Sequence, residues 1–369
     1  MIYIILIVYL LIALLVCAGR YLDFQQNRRL FLILAYIPLV LIMGLRGDGV
    51  GVDTLNYVNV YNNITSHSYF ELITNGWNIT YVETGYSLFV KTLSIIYDSV
   101  YFVRLIEAVI INALFLRFFS KNSKNIFFSI SLYLGLGIYL FNFNITRQML
   151  AIAIVVNTWD LIKQNKVMKS FVLLAIATTF HNSSIVFIVA YIIYLFRNNK
   201  AVMRLLPLVI IVVGINYRTI IGFLQSHVSR FNNYYSNWRN GAEANLVRII
   251  WLIILLLATY LIYKKQKAIN NNSSIATEID VSNRIDDSVI IGIFSIIYVA
   301  TQFIGIYFNY FDRVGLFFAP FVVLLFERFG YDIKSVGMAR VYFSITWCCF
   351  MLYFLLSTTS SQYQYSFFF

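Results

Sequence analysis

The chain has 369 residues, of which 60% are hydrophobic, 18% aromatic and only 12% charged, with a mean hydropathy of +0.76. A soluble domain of this size needs far more charge to cover its surface, so the composition excludes one and points to an integral membrane protein. The net charge of +12 does not imply a nucleic-acid partner: no basic run is interleaved with base-stacking aromatics, and loop lysines and arginines that orient membrane spans account for it.

Apolar segments recur at about the ~20 residues that a helix needs to cross a bilayer, and they do not alternate as barrel strands would. Twelve spans are expected, near 2–18, 30–45, 101–119, 126–141, 145–162, 168–181, 183–197, 205–222, 246–263, 288–310, 314–329 and 338–357. The first lacks a basic leading region and reads as a retained span. Cys17, Cys348 and Cys349 suggest neither a disulfide framework nor a metal site. The expected fold is therefore all-α: a polytopic integral membrane protein of about twelve transmembrane helices in one membrane domain over 1–369.

Basic clusters at Arg20–Arg29, Arg117/Lys121/Lys124, Lys163/Lys166/Lys169, Arg197/Lys200/Arg204, Lys264/Lys265/Lys267 and Arg328/Lys334/Arg340 all fall on one side of this span list. By the positive-inside rule that side is the cytoplasm. Counting 85–97 as a thirteenth span would break the alternation, so a re-entrant or interfacial helix is expected there. The larger external loops are then about 46–100 and 223–245, and a polar cytoplasmic linker covers about 264–287. All three histidines, His67, His181 and His227, land outside, together with sparse mixed charges. An active site on the external face is the expectation.

Its candidates come in chain order. Gly44, Gly47, Gly49 and Gly51 end the second span, with Arg46 and Asp53 among them. A helix from about Thr54 would line up Asp53, Tyr57 and Tyr61, and Asp53 is either a base or a helix cap. Arg104 and Glu107, spaced i and i+3, suggest a buried ion pair. Asn144, Arg147 and Gln148 open the fifth span, where a helix N-terminus and an arginine suit a phosphate; the plainer alternative is an arginine snorkelling to the interface. His181 and Asn182 form a polar turn between apolar helices, a base or a mere cap. Asp312-Arg313 interrupts a later apolar hairpin. No P-loop, no nucleophile elbow, no metal-spaced His/Cys set and no D-x-D pair is present, which disfavours a cytosolic sugar-nucleotide donor.

Arg46, Val50-Gly51-x-Asp53-Thr54-x-x-Tyr57, Arg147-Gln148-x-x-Ala151, His181-x-Ser183 and a late Arg313 together resemble the EpsG family of exopolysaccharide polymerases, relatives of Wzy O-antigen polymerases. The resemblance implies a bacterial inner-membrane glycosyltransferase. It would join undecaprenyl-diphosphate-linked oligosaccharide repeat units at the outer, periplasmic face, with membrane lipids around it and a chain-length regulator as a partner. Asp53, His181 or Glu83 would then be catalytic. Arg46, Arg147, Gln148 and Arg313 would hold the diphosphate, and Tyr57, Asn144 and Asn182 the substrate. Arginines in place of a metal leave no cofactor required. The main rival is a lipid-linked oligosaccharide flippase, which should carry charge along a pathway through the membrane instead of at one face.

Overall fold

The computed structural model describes residues 1–18, 24–216, 219, 245–272, 287–305 and 309–368. The expected loop at 223–245, apart from its last residue, and positions 273–286 of the expected linker lie outside them, as do His227, Arg230 and Arg239. Among the described residues the regular structure is helical and no strand forms. The chain divides into two compact units, one of Met1–Ile185 with Val336–Phe369 and one of Val186–Ser335.

The first unit holds α1 (Ile2–Ala18), α2 (Phe24–Gly44), α3 (Thr54–Thr65), α4 (Tyr69–Thr80), α5 (Thr84–Ile96), α6 (Val100–Asn122), α7 (Ile126–Gly135), α8 (Ile138–Asn144), α9 (Thr146–Val156), α10 (Thr158–Lys163) and α11 (Val167–Phe180). Apolar α2 and α6 pack along each other, and α9 is wedged between α6 and α11. The second unit holds α12 (Ile188–Leu195), α13 (Lys200–Ile215), α14 (Asn245–Asn272), α15 (Asp287–Gly305), α16 (Asn309–Gly315) and α17 (Ala319–Tyr331), gathered around a mostly buried α15. In its core Phe294 meets Phe321 edge to face at 4.8 Å, a packing that aromatic rings favour. Helix α18 (Val336–Ser357) returns to the first unit against α7.

This is a multi-pass membrane protein. Three helices, Gln26–Gly44, Asp287–Gly305 and Val336–Ser357, are by length and composition able to cross a membrane, or up to five spans if the bent pairs α5–α6 and α7–α8 each count as one. Shorter apolar helices of 10–17 residues fall where most of the other expected spans lie. The stretch at 264–272, expected as linker, continues α14.

The segment 46–100, expected as a loop with one helix from Thr54 and another over 85–97, is three helices. Gly51 lets the chain enter α3: its φ is +97°, and a Cβ there would lie 2.3 Å from the Phe143 carbonyl oxygen, so only glycine fits. Helix α4 is started by a capping box, with the Ser68 hydroxyl accepting from the Glu71 N–H and the Glu71 carboxylate accepting from the Ser68 N–H at 2.7 Å. It ends at Tyr81, which adopts a left-handed conformation. Leu72 from α4, Ile64 from α3 and Val90 from α5 then close a small apolar core against Val103 of α6. Burying each of these side chains stabilises the subdomain by about 1.5–3 kcal/mol.

Candidate functional site

Three residues far apart in sequence meet at one end of the first unit. Glu83 stands in extended conformation just before α5, Arg147 is the second residue of α9, and His181 is the extended residue that terminates α11. Arg147 Nη1 lies 2.7 Å from Glu83 Oε2, and His181 Nδ1 lies 3.2 Å from Glu83 Oε1. The backbone N–H of Asn182 donates to Glu83 Oε1 at 3.0 Å. Gly85 makes the approach possible, because a Cβ there would lie 2.2 Å from Thr179 Oγ1 on α11.

The carboxylate is nearly buried, whereas Arg147 and His181 keep 18% and 22% of their side-chain surface open. Burial by itself raises the Glu83 pKa. The His181 contact, the Arg147 charge and the Asn182 N–H together outweigh it and hold the carboxyl below its ordinary value. Glu83 is thus a fixed anion that orients its two partners. Arg147 Nε and Nη1 are buried without a hydrogen-bond acceptor among the described residues, so the ion pair is close in distance but off the hydrogen-bonding direction. The part of the Arg147 side chain that stays open is what an incoming anion can meet.

Aromatic side chains hold Arg147 from below. Its guanidinium lies 5.9 Å from the centre of the Tyr86 ring, and its backbone N–H donates to the Tyr57 hydroxyl at 3.3 Å. Tyr57 and Tyr86 meet edge to face, and the Tyr86 hydroxyl donates to Glu107 Oε1 at 2.8 Å. The expected Arg104–Glu107 ion pair does not form. Arg104 turns to Asp48 Oδ1 and to the Arg46 carbonyl, both at 2.8 Å, because two acceptors on the neighbouring loop satisfy its fork better than one residue a turn away. Between these groups lies a tight cavity with Arg46, Thr54, Tyr57, Glu107 and Thr146 on one side and Val60, Val90 and Val103 on the other, with room for roughly one water molecule.

The other expected residues are placed as follows. Arg46 is 1% exposed. It donates to the Met43 carbonyl and, at 3.4 Å, to Thr146 Oγ1, with its guanidinium 5.2 Å from the Phe143 ring centre. Burial and the Arg104 charge push its pKa down to about 10, so it stays cationic at neutral pH. Asn144 spends both ends of its amide on structure, accepting from the Val52 N–H and donating to the Tyr363 hydroxyl. Gln148 is buried inside α9. Asp53 precedes α3 but its side chain makes no capping bond. Arg313 belongs to the second unit, exposed on α16, with its own N–H bonded to the Asp312 carboxylate.

One participant had no signal in the sequence: the segment after α18. Ser366 and Gln362 carbonyls accept from the N–H groups of Gly47 and Gly51 at 2.7 and 2.8 Å, and the Phe368 N–H donates to the Leu45 carbonyl. Arg46 and Phe367 form an antiparallel bridge, and Phe368 stacks on Tyr101 at 4.6 Å. At the opposite end of the same unit Arg28 donates to the Ser123 carbonyl, Arg117 to Asn157, and Lys163 to Asn122. Among the described residues no group of three His, Cys, Asp or Glu side chains is arranged to hold a metal ion. No curated protein and no solved structure matches the chain. A family model does match, over residues 29–368. With nearly its whole length covered, including every member of the Glu83 cluster, the chain belongs to the EpsG family.

Proposed function

We propose that the protein is a polysaccharide polymerase that joins undecaprenyl-diphosphate-linked oligosaccharide repeat units at the outer face of the bacterial inner membrane. The observation that carries this reading is the contact of Glu83 with both Arg147 and His181. With Nδ1 toward the carboxylate, His181 presents Nε2 as the base, the orientation that an acid–histidine pair supplies in other group-transfer sites. The Arg147 guanidinium, in the first turn of α9, offers positive charge to a leaving diphosphate. The acceptor hydroxyl oxygen bonds to the anomeric carbon and its proton passes to His181 Nε2. The bond from that carbon to the diphosphate breaks, and its electron pair leaves with the phosphate. A single displacement of this kind inverts the anomeric centre, and arginine does the work a metal does elsewhere.

The distribution of charge supports this membrane orientation. The end of the first unit opposite the cluster carries Arg28, Arg117, Lys121, Lys124 and Lys163, and lysines and arginines mark the cytoplasmic side. The test is to incubate the purified protein in liposomes with lipid-diphosphate-linked repeat units and no nucleotide sugar. Ladders of lengthening glycan are expected in the wild type and are lost in His181→Ala. Transbilayer movement of the lipid without ladders would overturn the reading in favour of a flippase.

A further inference from the structure

Helix α4 divides its surface three ways. Leu72, Gly76 and Thr80 are buried on the subdomain. The exposed remainder is split: Phe70 and Ile73, spaced i and i+3 in the turn before the non-helical Asn75, and Trp77 in the turn after it stand 75%, 59% and 47% exposed, while Glu71, Thr74 and Asn78 are exposed polar positions on the same element. A helix standing in water buries its apolar stripe, and a helix immersed in hydrocarbon has no polar one. A surface that leaves both open belongs at the boundary between the two solvents.

The course of the chain points the same way. Helix α6 has 23 residues, about 34 Å at ~1.5 Å per residue, enough to cross the hydrocarbon. Helix α5 turns through 119° from it, so α5 runs obliquely back from the membrane surface, and its end exposes Ile95, Ile96 and Tyr97. Helix α4 packs on α5. Trp and Phe are side chains that anchor at this depth. With one glutamate and no lysine or arginine, α4 is fitted to the apolar boundary itself and not to acidic headgroups.

We propose that α4 is an in-plane interfacial helix that inserts Phe70, Ile73 and Trp77 into the acyl–headgroup boundary of the bilayer. It thereby holds Glu83, three residues beyond its end, at the depth of the lipid phosphates. Resting on the polymerase reading, the consequence is that a lipid-linked diphosphate reaches Arg147 sideways, without leaving the membrane plane.

The test uses the full chain with Cys17, Cys348 and Cys349 replaced by Ser, reconstituted into phosphatidylcholine liposomes. An environment-sensitive fluorophore is placed on Ile73→Cys or on Asn78→Cys. A nitroxide near the glycerol end of the lipid acyl chain should quench position 73 several-fold more than position 78, and aqueous iodide should do the reverse. Equal quenching of both positions by iodide, with neither reached by the lipid nitroxide, would overturn the placement and mean that these side chains stand in water. Phe70→Cys and Glu71→Cys repeat the contrast one turn earlier if a labelled protein fails to assemble. Ladder synthesis is read separately on unlabelled protein: ladders without the quenching contrast refute the interfacial helix alone, and the contrast without ladders refutes the polymerase alone.

Discussion

Glu83→Gln removes one charge and almost no volume. In the wild type the carboxylate faces Arg147 at 2.7 Å and His181 at 3.2 Å and accepts from the Asn182 N–H. The amide still accepts from Asn182 but turns a neutral group toward Arg147 and ceases to favour one orientation of the imidazole. Hydrogen bonds to charged groups contribute about 1.5–3 kcal/mol each and an unpaired buried cation costs more, so the cluster loses about 2–4 kcal/mol. If His181 is the base, its misorientation lowers kcat by about two to three decades, or roughly 2.7–4 kcal/mol of transition-state stabilisation. The sign of the pH dependence is also fixed. Because the folded carboxyl is held below its ordinary value, its charge contributes full stability above the ordinary carboxylate range. That contribution is lost as pH falls through the depressed folded value. Thermal unfolding in detergent should therefore show the wild type converging on Glu83→Gln with acidification, while ladder gels at neutral pH report the rate. A variant with a rate within about threefold of wild type, under 1 kcal/mol, would refute the role assigned to the carboxylate.

Four further outcomes are expected. Arg147→Ala should abolish ladders while the protein still accumulates in the membrane. Arg46→Ala should instead lower the yield of folded protein by removing a fully buried hydrogen-bonding group, a loss of about 3–5 kcal/mol read by detergent thermal shift. Gly85→Ala pushes α5 off Thr179 and should destabilise by about 1–3 kcal/mol; because it also displaces Glu83 from His181, ladder synthesis should fall further than stability does. Deleting residues 360–369 strips the partners from the Gly47 and Gly51 N–H groups, and faster proteolysis within 45–52 is the result that checks it.

Much of the site could be read before any coordinates. The helix from Thr54 forms as its glycine-rich entry suggested, and Arg147 and His181, each singled out by an unusual polar turn, do share one end of the helices. What could not be read was which acid joins them. Glu83 stands 64 residues before Arg147 and 98 before His181, and no local spacing encodes a meeting at that range. The Ser68–Glu71 capping box starts α4 inside a stretch expected from the sequence to be external loop. Arg104 and Glu107 mislead for a physical reason: helical spacing places two side chains on one face, but acceptors from other elements decide the pairing.

The strap that pairs with the glycine loop has a consequence for biosynthesis. Tyr365 bonds to the Ile42 carbonyl across 323 positions of sequence, so residues 42–51 leave the ribosome long before the segment that completes them. Until that segment arrives, the N–H groups of Gly47 and Gly51 lack their acceptors, and contacts of such long sequence separation form late. A nascent chain halted before residue 362 therefore carries the Glu83, Arg147 and His181 trio but an unfinished entrance to α3.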